Sequence, residues 1–251
     1  PDPSQSLASR INGLARQLYG VPYYEAGAIP GEIQTLVLHS LGAWMNQDEA
    51  PSSRHSYPFD VQVRTQLENY FSMLHYPWFA APAVFVRPWK DGELIGAGYT
   101  LGWSDFDRVN CVALFKRSSG KSSLVAVTHF VPQADLHYAF LPPSPGGDFR
   151  FFIYGYLRGK SQPRLSAILY TFDGKELKRL WEKQDLYDGK IDVLPGTVTL
   201  RYLVESEYIR AVEQSHFPPG HESIYKVTPQ GLALLTEQQI PYREVAQQQN
   251  P

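Results

Sequence analysis

The chain has 251 residues, 43% of them hydrophobic and 19% charged, which is enough apolar material for one large domain or two small ones and excludes a disordered chain. The formal net charge is -2 and Lys and Arg are scattered, so the basic patch that nucleic acid or an anionic membrane selects for is missing. A single cysteine, Cys111, rules out an intrachain disulfide, and no apolar run reaches transmembrane length.

In chain order, residues 4–19 read as a helix: Leu7, Ile11, Leu14, Ala15 and Leu18 share a face, Ser4 or Ser6 caps the start, and Gly20 with Pro22 ends it. A loop with Tyr23, Tyr24 and Glu25 follows. A second amphipathic helix covers residues 31–45 through Ile33, Leu36, Val37, Leu41 and Trp44. The Ser- and Pro-containing stretch from Asn46 to Pro58 reads as a surface loop or linker. A third helix spans 59–74, with Val63, Leu67, Tyr70, Phe71 and Leu74 on one side, and Pro77 closes it.

From residue 79 the period changes to two. Strands are expected near 82–88, 93–102, 109–117, 122–131, 136–141, 149–158, 165–172, 176–184, 190–194, 197–206, 221–228 and 231–240, about twelve in all. The short connections, rich in Gly, Pro, Asp and Ser, favour antiparallel hairpins over crossover helices. Residues 205–215 are compatible with a helix or a strand extension, and the Gln-rich tail 244–251 is expected to fray. The expected class is α+β: a helical segment 1–78 packed on an antiparallel β domain 79–243.

Three segments look alike. Leu114-Phe115, Leu169-Tyr170 and Ile224-Tyr225 each place an aliphatic before an aromatic, 55 residues apart in both intervals. Each is followed by a turn glycine (Gly120, Gly174, Gly231) and a second apolar run. This spacing is compatible with three repeated supersecondary units, or with chance in a β-rich chain. The segment Leu169-Tyr170-Thr171-Phe172-Asp173-Gly174-Lys175-Glu176-Leu177 with Leu180-Trp181 resembles the strand-turn-strand of quinoprotein-type β-propeller blades. The resemblance implies blade-like antiparallel sheets and carries no cofactor-binding residue across. A trefoil-like barrel and a β-sandwich are the alternative architectures.

Candidate chemistry is sparse, and no cofactor is called for. Asp105 and Asp107, beside Trp103 and Phe106, are the candidate acid–base pair, since glycoside cleavage needs two flanking carboxylates; the alternative for them is a polar turn. His216, His221 and Glu222, gathered around Pro218-Pro219-Gly220, are the candidate metal ligands, although a loop with two prolines also carries histidines for no chemical reason. Cys111, flanked by Val109 and Val112, reads as a buried small hydrophobe. Tyr23, Tyr24, Trp89 and Trp103 are the candidate ligand contacts, because aromatics in loops stack flat ligands.

The expectation is a non-enzymatic binding or structural module taking a carbohydrate or protein ligand. The alternatives are a glycan-acting hydrolase using Asp105 and Asp107, and a cytoplasmic assembly module. A Tyr-, Pro- and Gln-rich chain starting at Pro1 without Met points to a periplasmic or secreted setting.

Overall fold

The computed structural model describes residues 6–47, 57–72, 78–103, 107–130, 135–157 and 163–246. They fold as two compact units, Pro1–Leu136 and His137–Pro251. The α+β class holds.

In the first unit, three helices pack on a four-stranded antiparallel sheet. Helix α1 (Leu7–Arg16) starts where the Ser6 hydroxyl accepts the Ser9 N–H at 3.2 Å. Helix α2 spans Ile29–Met45 and α3 spans Phe59–Phe71. Strands β1 (Trp78–Trp89), β2 (Gly92–Gly102), β3 (Arg108–Ser118) and β4 (Lys121–Phe130) follow in sheet order β1-β2-β3-β4. The helical stripes predicted from spacing (Ile11, Ala15, Leu18, Ile33, Val37, Leu41, Val63 and Leu67) meet Ile95, Ala97, Tyr99, Ala113 and Phe115 in one core. Each fully buried Leu or Ile there contributes about 1.5–3 kcal/mol over an exposed one. Asn46, just past α2, ties helix to sheet: its amide donates to the Ser122 carbonyl and its Oδ1 accepts the Ser122 N–H, both at 2.7 Å.

The second unit is a seven-stranded antiparallel meander, order β11-β10-β9-β8-β7-β6-β5. Its strands are β5 (His137–Leu141), β6 (Phe149–Leu157), β7 (Arg164–Phe172), β8 (Leu177–Val193), β9 (Thr197–Leu203), β10 (Gly220–Thr228) and β11 (Gly231–Ile240). Helix α4 (Glu205–Glu213) connects β9 to β10, and α5 (Tyr242–Ala246) follows β11. Phe152, Leu169, Val198, Leu200 and Tyr225 centre one core cluster, with Trp181 packed edge-on against both Phe152 and Tyr225.

Two expectations need correction. The strands placed at 176–184 and 190–194 are one bent strand, β8, so eleven strands are described rather than about twelve. Asp185 and Asp188 lie in the expected gap and adopt left-handed φ of 55° and 47°, but the strand passes through them because it changes partner, from β7 below Tyr187 to β9 above it. The sheets are open, and among the described residues no barrel closes, which removes the trefoil-like alternative.

The three look-alike segments share a register. In β3–β4, β7–β8 and β10–β11 the ladder shifts at the aliphatic–aromatic pair: between Leu114 and Phe115, Leu169 and Tyr170, and Ile224 and Tyr225. The extra residue on the opposite strand is Val125, Leu180 and Leu235 respectively, so each hairpin carries its β-bulge at the same place. The aromatics pair with Leu124, Arg179 and Leu234, and the turns centre on Ser119-Gly120, Gly174-Lys175 and Pro229-Gln230. The glycines sit at three successive positions of these turns, not at one equivalent position, though all have positive φ (77°, 111° and 133°).

Candidate functional site

The loop between α1 and α2 is pinned from below by two residues that flank the end of β2 and the start of β3. Trp103 is wholly buried, and its indole N–H donates to the Val21 carbonyl at 2.7 Å. Asp107 Oδ1 accepts the Tyr23 N–H at 2.8 Å, and the Asp107 carbonyl accepts the Trp103 N–H at 2.9 Å. The Tyr23 ring then lies stacked on Trp103, centroids 6.2 Å apart at 17°. Pro22 opens a 3₁₀ turn over Tyr23–Glu25, whose hydrogen bonds run from Glu25 N–H to Pro22 and from Ala26 N–H to Tyr23. Both tyrosines stay in solvent, Tyr23 57% and Tyr24 83% exposed.

Beside them opens a cleft of about 600 Å³, within the range of small-molecule sites. Tyr23 and Tyr24 form one wall, Pro30 and Gln34 of α2 a second, and Val109 and Cys111, which share a face of β3, the floor. Asn110 is buried and its Oδ1 accepts the Thr100 hydroxyl proton at 2.5 Å, which fixes the amide. Burial pushes the Cys111 thiol up to about 12, with the Tyr99 hydroxyl acting weakly the other way, so the sulfur stays protonated at neutral pH. Its environment suits packing and gives no nucleophile.

The other predicted residues lie elsewhere. Trp89 is at the opposite end of β2 from Gly102, paired with Gly92, so roughly 3.3 Å per residue separates it widely from Trp103. It is buried, with the Lys90 ammonium 4.2 Å from its ring centroid. Asp105 lies outside the described residues, which leaves the proposed carboxylate pair with one placed member; Asp107 is engaged with the Tyr23 backbone.

His216, His221 and Glu222 do not converge. His216 is exposed in the loop before β10. His221 and Glu222 are consecutive on β10 and so point to opposite faces. His221 Nε2 is 2.6 Å from Glu207 Oε2 on α4 and its ring stacks on Tyr202. Glu222 accepts from Arg201 at 2.7 Å and from the Gln238 amide at 3.0 Å. Among the described residues no group of three His, Cys, Asp or Glu is placed to hold a metal ion.

Sequence reasoning missed the pinning role of Trp103 and Asp107, because the loop they hold is more than eighty residues away in the chain. No known protein family and no curated protein matches this chain.

Proposed function

We propose that the chain is a non-enzymatic binding module whose cleft at Tyr23, Tyr24 and Gln34 holds a small hydroxylated ligand such as a saccharide unit. The observation that carries this reading is the Tyr23 ring: clamped to Trp103 and Asp107, yet more than half exposed. A rigid aromatic surface offered to solvent binds without the entropic cost of ordering it. The amide of Gln34 adds directional polar contacts. The Tyr-, Pro- and Gln-rich composition supports an extracytoplasmic setting. The shared bulge register of the three hairpins supports a repeated unit as their origin.

The test is saturation-transfer NMR against a panel of neutral mono- and disaccharides. Binding that is lost in Tyr23→Ala and in Tyr24→Ala, with melting temperature retained, supports the cleft. Binding that survives both substitutions, or no binding by any sugar in the panel, sinks it.

A further inference from the structure

A second pocket, unconnected with the chemistry above, lies where the end of α2 meets α3. It holds about 480 Å³ and is lined by Trp44, Tyr57, Gln62, Thr65, Gln66 and Asn69, with Val61 between them. The α3 residues fall at steps of three and four, so one helix face supplies two glutamines, an asparagine and a threonine together. No lining residue is charged.

The pocket has a rigid aromatic wall. The Trp44 ring is parallel to Phe59 (6.3 Å between centroids, 6°), and the Arg117 guanidinium lies 4.3 Å over the far ring. Its polar side is incompletely satisfied. Gln62 is more than nine-tenths buried; its amide N–H donates to the Tyr57 carbonyl at 2.7 Å, and its Oε1 accepts from nothing. A buried carbonyl oxygen without a donor is costly, and most such groups in native proteins are paired.

We propose that this pocket binds an uncharged, hydroxyl-bearing ring, a saccharide unit, with its apolar face on Trp44 and a hydroxyl donated to Gln62 Oε1. The neutral lining selects against charged ligands, which would lose hydration without gaining a counter-charge. The aromatic wall and the row of amides match the two surfaces of a sugar ring, one apolar and one of alternating donors and acceptors. Gln62 Oε1 is screened from solvent, so the ligand meets it by a turn of the Gln62 amide into the pocket, past the exposed Tyr57 ring.

The experiment uses the full chain, ¹⁵N-labelled, titrated with glucose, galactose, N-acetylglucosamine and their β-linked disaccharides, with glucuronate as the charged control. The expected result is a shift of the Trp44 indole N–H and the Gln62 side-chain amide with a neutral sugar and none with glucuronate. Gln62→Leu, which keeps the volume and removes the acceptor, weakens that binding by about tenfold, or 1.4 kcal/mol. Trp44→Ala abolishes it. Tyr23→Ala leaves it unchanged, which separates this site from the first cleft. Three outcomes overturn the proposal: no shift at either reporter with any neutral sugar, equal affinity in Gln62→Leu, or glucuronate binding as well as glucose. A Gln62→Leu variant that melts higher and binds as tightly as the wild type would mark the orphan oxygen as a packing defect only.

Discussion

The carboxylate of Asp107 and the backbone N–H of Tyr23 meet at 2.8 Å across 84 residues of sequence, and this contact sets where the exposed tyrosine stands. Replacing Asp107 with Ala removes the acceptor and leaves the loop held by Trp103 and its 3₁₀ turn. The expected cost is about 1 kcal/mol, read as a fall in melting temperature of about 2–4 °C for a chain of this size. Asp107→Asn keeps the Oδ1 acceptor and retains most of the stability. A chromogenic glycoside turned over by the wild type and not by Asp107→Asn, with the melt unchanged, would favour the hydrolase alternative instead.

The protonated, buried thiol of Cys111 makes a reactivity prediction. A thiol held near 12 has almost no thiolate at about pH 8, so a disulfide reagent does not label the native protein. Labelling is complete once guanidinium unfolds it. Rapid labelling of the native state would mean that the β3 floor of the cleft opens.

Asp173 builds the β7–β8 turn. Its Oδ1 accepts the N–H groups of Lys175 (2.7 Å) and Glu176 (2.9 Å). These bonds, Glu176 first and Lys175 next, hold the carboxyl below its usual range. A depressed folded value means the stabilisation is present above the unfolded value of about 3.9 and is lost as pH falls from there through the folded value. The difference in urea midpoint between wild type and Asp173→Asn is therefore largest at neutral pH and shrinks below pH 4. No difference at any pH would assign the turn's stability to Gly174 alone.

Gly96 carries the sheet of the first unit past an aromatic ring. A Cβ there would meet Phe85 ring carbons at 2.0–2.5 Å, so the ring must move for any larger residue. Gly96→Ala is expected to destabilise by about 1–3 kcal/mol, and Gly96→Ala with Phe85→Leu to recover part of it. A neutral single variant in a thermal melt would show that the ring relocates freely.

Much of the fold was legible because it rests on local signals. The stripes at Ile11–Leu18, Ile33–Leu41 and Val63–Phe71 predicted the helices that do form the core of the first unit. The alternation in residues 93–117 and 149–172 predicted strands whose bounds agree within a residue or so. What failed was non-local. The break expected near Asp185 and Gly189 is overridden by pairing on both sides, and only tertiary context supplies a second partner strand. Composition identified Trp89 and Trp103 as aromatic but not as buried; burial depends on what packs above them. The candidate site was legible in its exposed half, Tyr23 and Tyr24, and not in the half that holds it still.

The three bulges have a consequence for how this chain tolerates change. A bulge resets the in-and-out alternation on one strand only, so each hairpin has a base and a tip that are out of phase. The tips Phe115–Leu124, Tyr170–Arg179 and Tyr225–Leu234 are of equal length and start from equivalent pairs. They differ at the turn itself: β3–β4 and β10–β11 close on two residues after the Ser118–Lys121 and Thr228–Gly231 pairs, and β7–β8 on four after Phe172–Leu177. The bulge fixes the register below each hairpin end, so a change in the turn residues leaves the pairing of the base strands as it is.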